Sequence, residues 1–517
     1  MNRIVLILVI LGGFLTYGCN PFLDEEPDAR AKVDNLTDIA ELLVNAYPQA
    51  TYHAITEVMS DNVKDLGIGV NCATAITDKE MYHWEDGTSS DYDSPFSVWT
   101  GLYAGISVAN HALRELDKLE DTPEARALRG EALLCRAFGH FILVNLFAEH
   151  YDPATAETAF GVPYVTEPED VAVKEYKRET MKLTYDYIEM DLRRGINMID
   201  DNMYKQPKFH FTKKAAHAFA TRFYTYKGTD WDKVLYHANL AIPLEFAHEM
   251  RNLAADKSLA VMEYMRQYTL PSQSAVLLSV TVATYWNDMY KTCPPRNSRY
   301  CLAPRQVNEI IGINSRYTFT GTTWDYKYDA SSMVAAASML KSYAYFKNVG
   351  LSSNSGMTYL NVPMLTVEDV ALNRIEAHIM KGDTISALED INRFVSKRAR
   401  NYASDLDLTM IKMHAYFDNN PEGQLMDTWV VEPHYYSEIK DNLSTMRLLK
   451  ISLLLRRMEF LQEGLRWFDI KRFHIPVTHN VEWDDEIAET TLSGYDPRRA
   501  LQIPQEAQRV GVLPNPR

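Results

Sequence analysis

Apolar residues recur at helical spacing in the first clearly patterned segment of the chain. From Trp99 to Leu116 they occupy every third or fourth position, which predicts one buried helical face. A turn at 121–123 follows, where Thr122 can cap a second helix and Pro123 suits its first turn. The inner face of that helix would carry Leu128, Ala132, Cys135, Phe138 and Ile142. The pattern therefore predicts a helix hairpin.

Two later segments repeat this plan. One has helical patterns on either side of a turn at 228–230, and the other on either side of a turn at 382–384. In both turns a glycine can end the first helix, and Asp or Thr can cap the second. Recurring hairpins of this size are typical of tetratricopeptide-like repeats, so we predict a mainly α fold with long irregular loops and minor β insertions. The repeats are expected near 96–149, 178–245, 366–400 and 445–473 of a single domain over 19–517.

Two long stretches, 64–97 and 270–330, interrupt the helical pattern. Both contain clustered aromatic rings among polar residues, and the second contains a β-leaning run from Val276 to Val282. Loops of this length inside a compact chain are usually functional. We therefore expect ligand-binding insertions at these two places.

The N-terminus has the build of an export signal. Arg3 precedes an apolar run over 4–15, which is too short to span a bilayer. Cys19 follows a small residue and resembles the acylated cysteine of a lipobox. We expect a lipoprotein signal peptide over 1–18 and lipid on Cys19; the alternative is a plain secreted protein that is cleaved nearby.

Charge and motifs narrow the class of protein. The formal net charge of -16 makes nucleic acid a poor candidate partner, because an acidic surface repels phosphates. The sequence has no GxSxG, HExxH or P-loop pattern and no His/Cys cluster at metal-ligand spacing. We therefore expect no catalytic residues, no metal and no cofactor, and a protein that is not an enzyme. Cys293 and Cys301 flank a short loop and either form a disulfide or remain thiols.

Several segments, taken in order, resemble the SusD/RagB family of nutrient-uptake lipoproteins. The sequence FLDEEP follows Cys19 closely, and WTGLYAGI begins at Trp99. The strongest match is RRMEF at 456–460 followed by EGLRWFDIKR at 463–472. Because charged and apolar residues alternate there after a helix, we interpret this last run as an internal ion-paired brace rather than a binding site.

The resemblance implies a location and a partner. The protein would sit on the outer membrane of a Bacteroidota-like bacterium, held in lipid through acylated Cys19 and facing the exterior. The acidic residues at 24–26 resemble a surface-export signal. It would cap a SusC-like TonB-dependent transporter and deliver a captured oligosaccharide to it. The alternatives are capture of peptides or another nutrient on the same scaffold, or a surface adhesin or scaffold without a transport role.

Aromatic residues of the two insertions are the candidate ligand contacts, because the resembled family places its sugar platform there. Rings stack on the apolar face of a pyranose, while amides and carboxylates bind its hydroxyls. The alternative for each ring is packing within the scaffold. The candidates are Tyr82 and Trp84 in the first insertion and Tyr285, Trp286, Asn287, Trp324 and Tyr326 in the second.

Overall fold

The structure is a computed structural model in which helices dominate. It describes residues 35–67, 75–168, 175–286, 299–303, 306–307, 310–311, 324–331, 336–348, 356–481 and 489–517. The α-helices are α1 Leu36–Leu43, α2 His53–Val58, α3 Ile76–Tyr82, α4 Pro95–Leu116, α5 Pro123–Phe147, α6 Met181–Met198, α7 Lys213–Lys227, α8 Trp231–Ala241, α9 Leu253–Asp256, α10 Val261–Thr269, α11 Val367–Met380, α12 Thr384–Val395, α13 Met410–Asn419, α14 Pro421–Asp427, α15 Tyr436–Ile439, α16 Leu443–Glu459, α17 Arg466–Arg472 and α18 Gln505–Arg509. The strands are β1 Lys64–Asp65, β2 Val276–Val282, β3 Tyr300–Cys301, β4 Asp329–Ser331, β5 Ala336–Ser338, β6 Ala344–Asn348, β7 Gly356–Thr366, β8 Val477–His479 and β9 Thr490–Leu492.

The first hairpin forms from α4 and α5 as the apolar spacing predicts. The Thr122 side chain accepts a hydrogen bond from the Ala125 amide, with proline in the first turn of α5. An added Cβ at Gly105 of α4 would lie 2.8 Å from the Ala46 carbonyl oxygen. Helix α4 therefore approaches the segment after α1 as closely as a glycine allows.

Helix α5 is a core helix. By length and composition it could cross a membrane, but its apolar window is wholly buried in the folded chain. The polar side chains it carries are satisfied internally: Arg136 Nε donates to Asp191 Oδ2 of α6 at 2.7 Å. Burial of a charge is tolerated here because the guanidinium is paired and hydrogen-bonded.

The later hairpins, α7–α8 and α11–α12, end and begin at the predicted residues. Gly228 closes α7 in the left-handed conformation, with φ of 63°, and the Asp230 side chain caps α8. Asp383 caps α12 in the same way, accepting from the Ser386 amide. The predicted mainly α, tetratricopeptide-like fold is confirmed.

A three-stranded antiparallel sheet, in the order β2–β7–β6, pairs the β2 strand of the second insertion with two strands that lie after it in the chain. The β-leaning run is confirmed as β2, in which Val280 pairs with Val362 of β7. Strand β7 passes directly into α11, where the Thr366 side chain caps the helix. The sheet is thus continuous with the third hairpin.

Buried ion pairs join the C-terminal helices to the rest of the core. Arg456 Nε lies 3.0 Å from Asp469 Oδ2, and Arg466 Nη2 lies 2.8 Å from Asp61 Oδ2. Arg472 pairs with Glu376. The interpretation of this run as an internal brace is confirmed.

The turn between α16 and α17 also anchors the second insertion. The Gln462 amide donates to Glu57 Oε1 at 2.8 Å, and its side-chain oxygen accepts from the Met339 amide at 2.8 Å. Its carbonyl oxygen accepts from Trp286 Nε1 at 3.0 Å. One residue therefore connects the scaffold to the second insertion, through Trp286, and to the segment that follows β5, through Met339.

Candidate functional site

The two insertions meet at Asp93, just before α4. Its carboxylate accepts hydrogen bonds from the Thr284 hydroxyl and from the Tyr285 amide, each at 2.7 Å. Asp93 is buried, and burial raises the pKa of its carboxyl to about 6 although both hydrogen bonds act in the opposite direction. Asp93 thus fixes the backbone of the second insertion to the first.

The backbone at Asp93 is strained. Its φ is 62°, in the left-handed region that non-glycine residues occupy at a cost. Such conformations persist only where the surrounding contacts enforce them, and they concentrate at functional sites. The left-handed conformation of Asp93 redirects the backbone between Tyr92 and Ser94, whose side chain caps α4.

Two exposed tyrosine rings stand next to this junction. The Tyr92 and Tyr285 ring centroids are 5.7 Å apart, with an angle of 66° between the planes. Tyr92 is 43% exposed and Tyr285 is 48% exposed. A pair of large rings that contact each other and remain in solvent presents apolar faces to a ligand.

The rings border a cavity of about 520 Å³, which we call the cleft. One wall is the N-terminal part of α4, and polar side chains surround the rings. The polar lining consists of Gln49, Ser90, Asp91, Ser97 and Thr100. Hydroxyl, amide and carboxylate groups beside two exposed rings suit a ligand that has both apolar faces and many hydroxyls.

The predicted rings of the first insertion lie in the core instead. Trp84 is 3% exposed, and its Nε1 donates to the Met59 carbonyl oxygen at 3.0 Å. Tyr82 is also 3% exposed and donates its hydroxyl to the Asn480 carbonyl oxygen. Both rings stack on His479, at centroid distances of 4.1 and 4.3 Å. They support the C-terminal hairpin β8–β9 and have no free face for a ligand.

Three predicted rings of the second insertion are buried as well, with exposures of 2–4%. Trp286 donates to the scaffold at Gln462, as described above. Tyr326 donates its hydroxyl to Glu459 Oε2 at 2.8 Å, and Trp324 forms a bridge with Ala399. The expected ligand contacts at these positions are corrected to anchoring contacts, and among the predicted rings Tyr285 alone borders the cleft.

Some predictions fall outside the described residues, namely those on Cys19, Asn287 and Cys293. Lipidation and a ligand contact by Asn287 therefore stay predictions, and the choice between a Cys293–Cys301 disulfide and two thiols stays open. Cys135 is a buried thiol in α5, as expected. Within the described part of the chain, no group of three or more His, Cys, Asp or Glu residues is arranged to hold a metal ion.

Tyr92 was missed by sequence reasoning, although it lies inside the first predicted insertion. Its available signal is a single aromatic residue between two aspartates, immediately before a helix cap. Only the hydrogen-bond partners of Asp93 show that the second aspartate fixes Tyr285 beside Tyr92.

Comparison with models of known protein families shows to which family the chain belongs. Residues 196–510 match the SusD family, and residues 21–225 match a family described as starch-binding and associating with the outer membrane. The chain belongs to the SusD family. No curated protein sequence matches it.

Solved structures related to the SusD family share the fold along almost the whole chain. A SusD superfamily protein from Bacteroides thetaiotaomicron is 18% identical with a TM-score of 0.66, covering 93% of this chain and all (100%) of its own. A putative sugar binding protein from Bacteroides vulgatus is 20% identical with a TM-score of 0.62, covering 93% and 98%. A SusD-like carbohydrate binding protein from Bacteroides vulgatus is 15% identical with a TM-score of 0.59, covering 92% and 96%. At these identities the likeness concerns the fold.

Proposed function

We propose that this protein is a carbohydrate-binding lipoprotein of the outer membrane that captures an oligosaccharide in the cleft. The observation that carries the proposal is the exposed Tyr92–Tyr285 pair, held by Asp93 over a polar cavity. Membership of the SusD family and the sugar-binding descriptions of structural relatives support it.

The two rings would act as stacking platforms. A sugar that covers the exposed half of Tyr285 removes roughly 50 Å² of apolar surface from water, worth about 1 kcal/mol, and stacking adds about 1 kcal/mol. Loss of this ring should weaken binding by roughly 30-fold. Asp91 and Gln49 stand where ligand hydroxyls would need partners.

The test is glycan binding by the mature protein, screened on a glycan array and measured by calorimetry. Tyr285→Ala and Tyr92→Ala should each weaken binding about tenfold or more without lowering the melting temperature. Tyr236→Ala is the matched control, because this tyrosine is 62% exposed and does not line the cleft. Unchanged affinity in both cleft variants would refute this placement of the site.

Delivery to a SusC-like TonB-dependent transporter completes the proposal, with the protein facing the cell exterior and anchored through acylated Cys19. Support comes from the export signal in the sequence and from the family. Cys19→Ser should release the protein from the membrane fraction and abolish palmitate labelling. Affinity purification from native membranes should recover the transporter with the wild-type protein.

Peptide capture and an adhesin role are the competing functions on this scaffold. Retention of a peptide pool, together with failure to bind any glycan on the array, would favour peptide capture. Binding to neither, with recovery of a host or cell-surface protein, would favour an adhesin or scaffold. Both outcomes would contradict the carbohydrate proposal.

A further inference from the structure

A second cavity, of about 390 Å³, lies beside the cleft along α4. We call it the α4 groove. Its walls come from α4, from the segment at 163–167, from Tyr176 and from the C-terminal segment at 504–512. The Tyr103 hydroxyl donates to the Pro163 carbonyl oxygen at 2.8 Å and so holds two of these walls together. The volume falls within the range of small-molecule pockets.

The groove and the cleft share one ridge of α4. Phe96, Thr100 and Ala104 line both cavities, and their spacing of four residues places them in a row along the helix. Ser97 faces the cleft on one side of this row, whereas Ser107 faces the groove on the other. A molecule bound in the cleft can therefore extend across the ridge into the groove.

The chemistry of the two cavities differs. The groove is lined mainly by aromatic and aliphatic side chains, including Trp99, Val165 and Val512, whereas the cleft carries a larger share of polar side chains beside its two tyrosines. Two exposed carboxylates, Glu167 and Glu506, also border the groove. An apolar group without negative charge fits this environment, because an anion would be repelled by both carboxylates.

We propose that the α4 groove binds a neutral apolar substituent, aryl or acyl, of the same glycan whose sugar rings occupy the cleft. The ligand class is thus a substituted, amphiphilic glycan rather than an unmodified one. The proposal rests on the proposed function for the sugar part, while the groove itself is tested without any sugar. Covering an aryl group in the groove should tighten binding roughly tenfold to hundredfold relative to the unsubstituted glycan.

The first experiment uses N-phenyl-1-naphthylamine, a neutral aromatic probe, with the full mature protein. We expect saturable fluorescence enhancement at one site, and at least tenfold weaker binding by Ser107→Trp, which fills the groove. Ser97→Trp on the cleft side of the same helix is the matched control and should bind the probe like wild type. The sulfonated analogue 8-anilinonaphthalene-1-sulfonate should bind more weakly than the neutral probe. The melting temperatures of both variants check that each is folded. If Ser107→Trp does not fold, Ala507→Phe replaces it, because this substitution fills the groove from the opposite wall.

The second experiment compares methyl and 2-naphthyl glycosides of the oligosaccharide that the array identifies. The naphthyl glycoside should bind more tightly to wild type, and this gain should vanish in Ser107→Trp. Equal affinities, absence of saturable probe binding, or an unchanged probe affinity in Ser107→Trp would each overturn the proposal. If Ser107→Trp instead leaves probe binding intact and removes a co-purifying transporter, the groove is a protein contact and the proposal is wrong. Failure of the proposed function shows separately, as the absence of glycan binding on the array or as a glycan affinity that both Tyr285→Ala and Tyr92→Ala leave unchanged.

Discussion

The carboxyl group of Asp93 should give the stability of the fold a dependence on pH that Asp93→Asn removes. Burial raises the pKa of this carboxyl to about 6 in the folded chain, against an ordinary value of 3.8. A group with a raised pKa binds its proton more tightly when folded. Its stabilising contribution is therefore complete below about pH 4 and is lost as the pH rises through 6.

The expected size of the change in unfolding free energy follows from the shift in the pKa of Asp93. A difference of about two pKa units corresponds to roughly 3 kcal/mol at 1.36 kcal/mol per unit. Asparagine has no charge to bury, accepts from the Tyr285 amide as aspartate does, and tolerates the left-handed backbone. Relative to Asp93→Asn, the wild-type protein should lose about 2–3 kcal/mol of unfolding free energy between pH 4 and pH 7.

Urea unfolding of both proteins at half-unit pH intervals measures this difference. The other titrating groups occur in both chains, so their contributions cancel in the comparison. Asp93→Ala provides a contrast: it removes both hydrogen bonds and leaves the buried Thr284 hydroxyl without its acceptor, at a cost of about 1–3 kcal/mol at every pH. A wild-type minus Asp93→Asn difference that stays constant from pH 4 to pH 7 would refute the reasoning.

Three further changes test the scaffold. Glu459→Gln removes one of the two carboxylates that pair with the buried Arg398 guanidinium, while Glu368 keeps its contact at 3.0 Å. We therefore expect a loss of about 1.5–3 kcal/mol in urea unfolding, and a loss near zero would contradict a buried pair. Trp84→Phe removes the buried indole N–H that donates to a backbone carbonyl, so the free energy of unfolding should fall by about 1–3 kcal/mol. Calorimetry should show an unchanged glycan affinity. A selective loss of affinity would instead indicate that this ring contacts the ligand. Gly105→Ala places a Cβ within 3.0 Å of the carbonyl oxygens of residues 46 and 47. The melting temperature should therefore fall, with a loss of about 1–3 kcal/mol in the free energy of unfolding. An unchanged melting temperature would show that α4 can shift away from this segment at no cost.

The repeat scaffold was predictable from the sequence because its signals are local. Apolar spacing defines the buried face of each helix, and the caps at Thr122, Gly228 and Asp230 lie within a few residues of the turns that they close. The alternating charges of α17 indicated an internal brace for the same reason. No long-range information was needed for these elements.

The exposed rings beside the cleft were only partly predictable from the sequence, because the exposure of a side chain depends on partners that are distant in the chain. Trp286 is buried because Gln462, 176 residues away, accepts its indole N–H, whereas the adjacent Tyr285 stays in solvent. The sequence around these two neighbouring aromatic residues does not indicate which of them is buried and which is exposed. Tyr92 gains its role from Asp93, whose hydrogen-bond partners lie 191 and 192 residues further along the chain.

The paired Arg136 at the centre of α5 has a consequence before the chain folds. During the proposed export, a secretion channel would meet α5 as an unfolded 25-residue segment that contains an apolar window long enough to be released sideways into the bilayer. An arginine in the middle of such a segment raises the free energy of insertion by about 2.5–3.5 kcal/mol. The charge that Asp191 neutralises in the folded core would thus help the exported chain to pass through the inner membrane without stopping there.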